Sequence, residues 1–258
     1  MVILGSGNLA WHLASRFAST GRYEIHVYNH RPSEQLYRFR SKLRCHIYDS
    51  FRSIKHDADV YLLCVSDAAL AKVAAKVHAQ KASALMLHTS GSMPLSVLGQ
   101  RVHDTAVMYP LQSFTLGQHI HWKEVPLLLE ASDAGALKKV KALASQLSPV
   151  QQLSNGQQRL RLHLAAVLVN NFPNALYAAA AALVGSREQF RLLQPLMQQT
   201  LSKLEQLSPL EAQTGPARRG DKVVQKKHLA LLHGNKEVKK VYKQLTKLIV
   251  SQHKQEDA

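Results

Sequence analysis

The chain has 258 residues, of which 46% are hydrophobic, enough for one large domain or two modest ones with cores of their own. Its two cysteines, Cys45 and Cys64, lie far apart in apolar runs, which argues against a disulfide framework or zinc site and suits a reducing cytoplasm. A formal charge of +16 favours anionic small molecules, while the aromatic-rich basic cluster, zinc knuckle and helix-turn-helix pattern of a nucleic-acid binder are missing.

The chain opens on a short apolar strand, Val2-Ile3-Leu4, that runs into Gly5-Ser6-Gly7-Asn8-Leu9-Ala10 and then a helical pattern. The first residues already belong to a core strand, so no leader peptide is expected. Gly5 permits a tight turn, Gly7 allows the backbone close to a pyrophosphate, and Ala10 is small enough to pack the helix on the sheet. Phosphates would sit at the helix N-terminus among free N–H groups. Gly5, Ser6, Gly7, Asn8 and Leu9 are therefore the first candidate dinucleotide contacts.

The next extended run, Glu24 to Tyr28, ends in Asn29-His30-Arg31. This is where a dinucleotide's ribose is read, and an acidic residue there would favour NAD. Asn29 carries no charge, Arg31 offers a planar fork for a 2′-phosphate and His30 a second donor, so NADP is the expected cofactor. Alternatively, Arg31 is a surface residue opening a loop before Pro32.

Further strands are expected near Arg44 to Tyr48, Ala58 to Val65, Ala84 to His88, Thr105 to Tyr109 and Val125 to Glu130, with a helix from about Ala134 to Leu147. This α/β alternation describes a doubly wound, mostly parallel sheet over residues 1–153. Ligands gather at the carboxyl ends of such strands. One end carries Cys64-Val65-Ser66-Asp67, with Val65 and Ser66 as cofactor contacts and Asp67 most simply a helix N-cap. Another carries His88-Thr89-Ser90-Gly91-Ser92, beside the expected nicotinamide, where Ser92 could cap a helix containing Pro94. A third carries Tyr109-Pro110-Leu111-Gln112-Ser113-Phe114.

After the turn Leu153-Ser154-Asn155-Gly156, residues 154–258 read as helical. The apolar stretch from Leu160 to Val184 is interrupted by Arg161, His163, Asn170, Asn171 and Asn174, which favours a buried helix over a membrane span. On a helix from Gln157 to Val184, His163 and Asn171 would lie roughly 80° apart and about two turns along. Pro173 cannot donate to the Val169 carbonyl and should kink the helix near Asn171. The His and Asn are either core residues satisfied by neighbours or members of a site. Gln213-Thr214-Gly215-Pro216-Ala217-Arg218-Arg219-Gly220-Asp221 is either a turn opening a basic helix or an anion-binding loop. From Val238 onward, lysines form the wet face of an amphipathic helix.

Taken together, the glycine loop, the 88–92 and 110–114 loops, His163 with Asn171-Phe172, and Thr214-Gly215-Pro216 with Arg219-Gly220-Asp221 resemble an uncharacterised oxidoreductase family. It joins a Rossmann-like domain to a C-terminal domain of unknown function, and is related to pyrroline-5-carboxylate reductase, deazaflavin-dependent NADP reductase and β-hydroxyacid dehydrogenases. The resemblance implies an NADP-binding domain, a helical domain that dimerises, and a cleft between them. Two residues depart from the pattern: Tyr109 stands where a His is expected, and Val167 where β-hydroxyacid dehydrogenases carry a catalytic Lys.

The expectation is an NADP-dependent oxidoreductase acting on a small, anionic carbonyl or imine compound; the alternative is a non-catalytic NADP-binding regulator. Histidine suits proton transfer near neutral pH. His163 and His88 are the acid–base candidates, Asn171 the substrate-orienting group and Ser90 a hydrogen-bond donor. No metal, membrane or nucleic-acid partner is expected, and the helical half is expected to form a homodimer.

Overall fold

Alternating side chains along the strands divide the apolar residues between two faces of one sheet. Ile3, Val27, Leu62, Leu85 and Leu87 join one buried cluster, whereas Val2, Leu4, Tyr61, Leu63 and Met86 join another. Fully burying a side chain of Leu or Phe size stabilises by about 1.5 to 3 kcal/mol, so this partition supplies the main driving force for a helix-covered sheet. The computed structural model describes residues 1–77, 79–99 and 104–254.

The strands are β1 (Val2–Leu4), β2 (His26–Tyr28), β3 (His46–Tyr48), β4 (Val60–Leu63), β5 (Leu85–His88), β6 (Asp104–Pro110), β7 (Leu127–Ala131) and β8 (Gln151–Leu153). Their order in the single sheet is β3-β2-β1-β4-β5-β6-β7-β8. Every neighbouring pair is parallel except β6 and β7. The loops leaving β1, β4, β5 and β6 therefore share one edge of the sheet. Helices α1 (Asn8–Ser19), α2 (Glu34–Leu43) and α4 (Ala134–Ala144) feed the first cluster through Leu13, Phe17, Phe39 and Val140, while α3 (Asp67–Ala74) feeds the second through Leu70 and Ala74. The expected doubly wound, mostly parallel sheet is present, with β8 as an addition that the amide-rich Gln151-Gln152-Leu153 did not announce.

The chain divides into two compact units, Met1–Asn171 and Phe172–Ala258, so the first helix beyond residue 153 belongs with the sheet. That helix, α5 (Gly156–Ala166), starts at a capping box in which Asn155 and Gln158 bond each other's backbone N–H. Arg159, one turn in, is fully buried, an unusual place for a guanidinium. It pairs with Glu130 on β7, and its second terminal nitrogen donates to the Met93 carbonyl at 2.5 Å. These contacts fasten α5 to the sheet.

The long helix expected from Gln157 is not uniformly α-helical. Val167–Asn171 form a π-helical turn before α6 (Phe172–Val184). Pro173 explains it, because a regular α-helix would require Pro173 to donate to Val169 and would drive its ring into that carbonyl. The expectation of a buried helix is also corrected. The apolar window within Gly156–Val184 is not buried in the single chain, although its length and composition would suffice to cross a membrane.

The second unit contains α6, α7 (Arg187–Arg191), α8 (Gln194–Lys203), α9 (Lys222–Leu231) and α10 (Lys236–Lys254). Side chains define its helix starts: Ser186 caps α7 and Asp221 caps α9. Tyr242 meets His228 Nδ1 at 3.0 Å, joining α10 to α9. Among its described hydrophobic residues only Ala217 and Leu232 are buried.

Candidate active site

The β1–α1 turn is built for close approach. The Gly5 N–H donates to the Tyr28 carbonyl at 2.8 Å. Gly5 has φ +117°, and a Cβ there would lie 2.2 Å from the Cys64 carbonyl oxygen, so only glycine fits. Gly7 is different: a Cβ there would meet nothing within 4 Å, and no side chain caps the helix it opens. The space and the first-turn N–H groups are what a pyrophosphate requires, and the residues present fit a dinucleotide.

A cleft of about 670 Å³ extends from this turn, lined by Gly5, Ser6 and Gly7, by Asn29 and His30, and by Val65 and Ser66. Asn29 Nδ2 donates to the Arg31 carbonyl at 2.9 Å and shapes the loop. Arg31 itself is exposed and does not line the cleft; Lys72 of α3 and Lys76, just beyond its end, do. Their four-residue spacing after Ser66 was the available sequence signal for a second cationic wall. Asn8 Nδ2 is held by the Phe114 carbonyl at 3.1 Å, and Leu9 packs on the core, so both support the turn.

The loop after β5 is organised by side-chain hydrogen bonds. His88 is fully buried, its Nδ1 accepts the Ser90 N–H at 3.1 Å, and burial, reinforced by Arg159, lowers its pKa to about 4. It is thus neutral at physiological pH and shapes the loop. Ser90 Oγ accepts the N–H groups of Ser92 and Met93 at 3.2 and 3.0 Å. Asp67 is not the N-cap expected of it; Ser66 holds that position, and the Asp67 carboxylate accepts a hydrogen bond from Ser92 Oγ. Nor does Ser92 cap a helix: Pro94 precedes a single 3₁₀ turn, Leu95–Leu98.

Gly91 brings this loop against α5. A Cβ at Gly91 would lie 2.8 Å from the His163 ring and 2.9 Å from Tyr109 Cζ. His163 Nδ1 is 3.0 Å from the Tyr109 hydroxyl, and burial pushes the pKa of that phenol up. A second cleft, about 600 Å³, is lined by Tyr109, His163 and Asn171 together with Leu111, Gln112 and Val167. The π turn contributes to this assembly. A wider turn takes more residues per revolution, which narrows the angle that a regular helix would leave between His163 and Asn171. Sequence reading missed Tyr109 as the partner of His163.

In the second unit, Asp221 caps α9, and Arg218 donates to the carbonyls of Glu211 and Gln213 at 3.3 and 2.5 Å. Both side chains thus hold a turn that opens a basic helix.

Residues 1–89 match the family described as NADP oxidoreductase, coenzyme F420-dependent, and residues 125–249 match a domain of unknown function, DUF2520. A crystal structure from Bacteroides fragilis, described as an NADP oxidoreductase, is 33% identical over 97% of each chain, with a TM-score of 0.90. The chain belongs to this NADP oxidoreductase family, and its cofactor is NADP. The fold is shared with a pyrroline-5-carboxylate reductase from Coxiella burnetii (16% identity, 98% and 97% of the chains, TM-score 0.57). It is shared also with a reductive aminase from Aspergillus terreus in complex with NADPH and ethyl-5-oxohexanoate (17%, 97% and 93%, 0.67). No curated protein matches the chain.

Proposed function

We propose that this NADP oxidoreductase reduces, or in reverse forms, a C=O or C=N bond in a small anionic compound. The observation that carries this reading is the acid–base group His163, hydrogen-bonded to Tyr109, in a cleft that it shares with the Asn171 amide. The cofactor, when bound, supplies or accepts the hydride. The chain's own residues must then orient the substrate and move a proton on its heteroatom, which falls to Asn171 and His163. Among the described residues, the amides Gln112, Asn170 and Asn171 line the cleft and no Lys or Arg does. Attraction of an anion accordingly comes from the field of the +16 chain.

The apolar surface of the helical unit supports assembly as a homodimer. Two thiols kept protonated by burial, Cys45 at about 11 and Cys64 at about 12, suit a reducing cytoplasmic setting. NADPH consumption with a panel of oxo acids and cyclic imino acids tests the reaction. Turnover on one class identifies the substrate type, and tight NADPH binding with no turnover across the panel would favour a sensor instead.

A further inference from the structure

Tyr109 is half-buried on β6, and its ring meets His163 edge-on, with centroids 5.8 Å apart and planes at 79°. The missing side chain at Gly91 lets both rings close over the loop. At the 3.0 Å contact one of the two groups must donate. A neutral phenol has a hydrogen to give, and a neutral imidazole can accept it at Nδ1 while keeping its own hydrogen on Nε2.

Such an imidazole is a poor acid by itself, because losing the Nε2 hydrogen would leave an imidazolate. A phenol behind Nδ1 removes that obstacle. We propose that Tyr109 is the proton source of the site and that His163 is the relay between its hydroxyl and the substrate heteroatom. As a heteroatom–H bond forms, the Nε2–H bond breaks; the phenol O–H bond breaks as Nδ1–H forms. His163 ends neutral in its other tautomer, and the negative charge rests on the Tyr109 oxygen until water returns a proton. This rests on the reading that His163 serves the cleft.

The groups around the pair suit this direction of transfer. On α5, Arg159 is committed to Glu130 and Arg161 is exposed. From the β5 loop, His88 is buried and neutral, and Asp67 is engaged by Ser92. Burial is the cause of the raised Tyr109 pKa, so the phenol keeps its hydrogen through the neutral range.

Two measurements on the full chain test the relay. Nitrogen-15 NMR of the His163 ring should find the Nε2–H tautomer at neutral pH; a dominant Nδ1–H tautomer, donating to the phenol, overturns the proposal. The second is the pH profile of NADPH-dependent turnover with the oxo-acid and imino-acid panel. Wild-type turnover should persist beyond the ordinary tyrosine range, because burial raises the Tyr109 phenol. Tyr109→Phe, which keeps the ring and should keep the melting temperature, leaves only a cationic imidazole as acid. Its turnover should lie about a hundredfold below wild type on the alkaline limb. An alkaline limb unchanged by the substitution overturns the relay while leaving the reductase reading intact. A silent panel removes the reductase reading, and the tautomer still decides the pairing.

Discussion

The two compact units treat their apolar residues in opposite ways. In Met1–Asn171, Phe17, Phe39, Leu62 and Leu87 are removed from solvent on the two faces of the sheet. In Phe172–Ala258, Phe172, Leu176, Leu183, Leu196 and Val223 remain more than a third exposed. The first unit has a core of its own; in the second, many of the described large apolar side chains stay exposed. A second copy of the chain is the proposed cover for this apolar surface.

The largest expected effect breaks this contrast directly. Light scattering at micromolar concentration should give a dimer, and the double substitution Leu176→Asp and Leu183→Asp should give a monomer with much reduced helical circular dichroism. A wild-type chain that is monomeric and fully helical would refute the dependence of the second unit on a partner. Each apolar side chain left wet forfeits about 1.5 to 3 kcal/mol, so the summed effect should exceed any single change within the first unit.

Next in size is a pH effect confined to the first unit. Folded His88 has a pKa of about 4 against an ordinary 6.5, because burial opposes its charge. Between those values the unfolded chain binds a proton that the folded chain refuses, so stability is complete above pH 6.5 and declines as pH falls toward 4. The pKa difference corresponds to about 3 kcal/mol. Urea unfolding of wild type and His88→Gln should show this slope in the former and a flatter one in the latter; identical slopes would count against it.

The site itself comes next. His163→Ala should lower turnover about a hundredfold or more while calorimetric NADPH affinity stays near wild type, since the residue lies on the second cleft and not on the glycine turn. Equal losses in binding and turnover would reassign His163 to cofactor support. The smallest effect concerns the 2′-phosphate. Arg31→Ala should weaken NADPH about tenfold and leave NADH unchanged. If Lys72→Ala does so in its place, the cationic wall of α3 reads the phosphate.

What could be read from sequence was what is local. Gly5, Gly7 and Ala10 lie within six residues and announce their turn, and Pro173 announces a break four residues after Val169. Tyr109 and His163 are separated by 54 positions and meet only because β6 and α5 are brought together, with Gly91 vacating the space between them. Arg159 carries no local signal of its burial, which depends on Glu130 and Met93, neither of which is its neighbour in sequence. β8 was illegible because Gln151 and Gln152 offer no apolar alternation, their strand being recruited by pairing with β7.

Arg159 also bears on how the chain can change over evolutionary time. Drift in α5 that moved His163 by even a fraction of a turn would strand the guanidinium in the interior without Glu130 or the Met93 carbonyl. Removing Glu130 alone would leave the buried Arg159 charge without its carboxylate, a strongly destabilising change. The pair thus acts as a register pin for the helix that presents His163 to the second cleft.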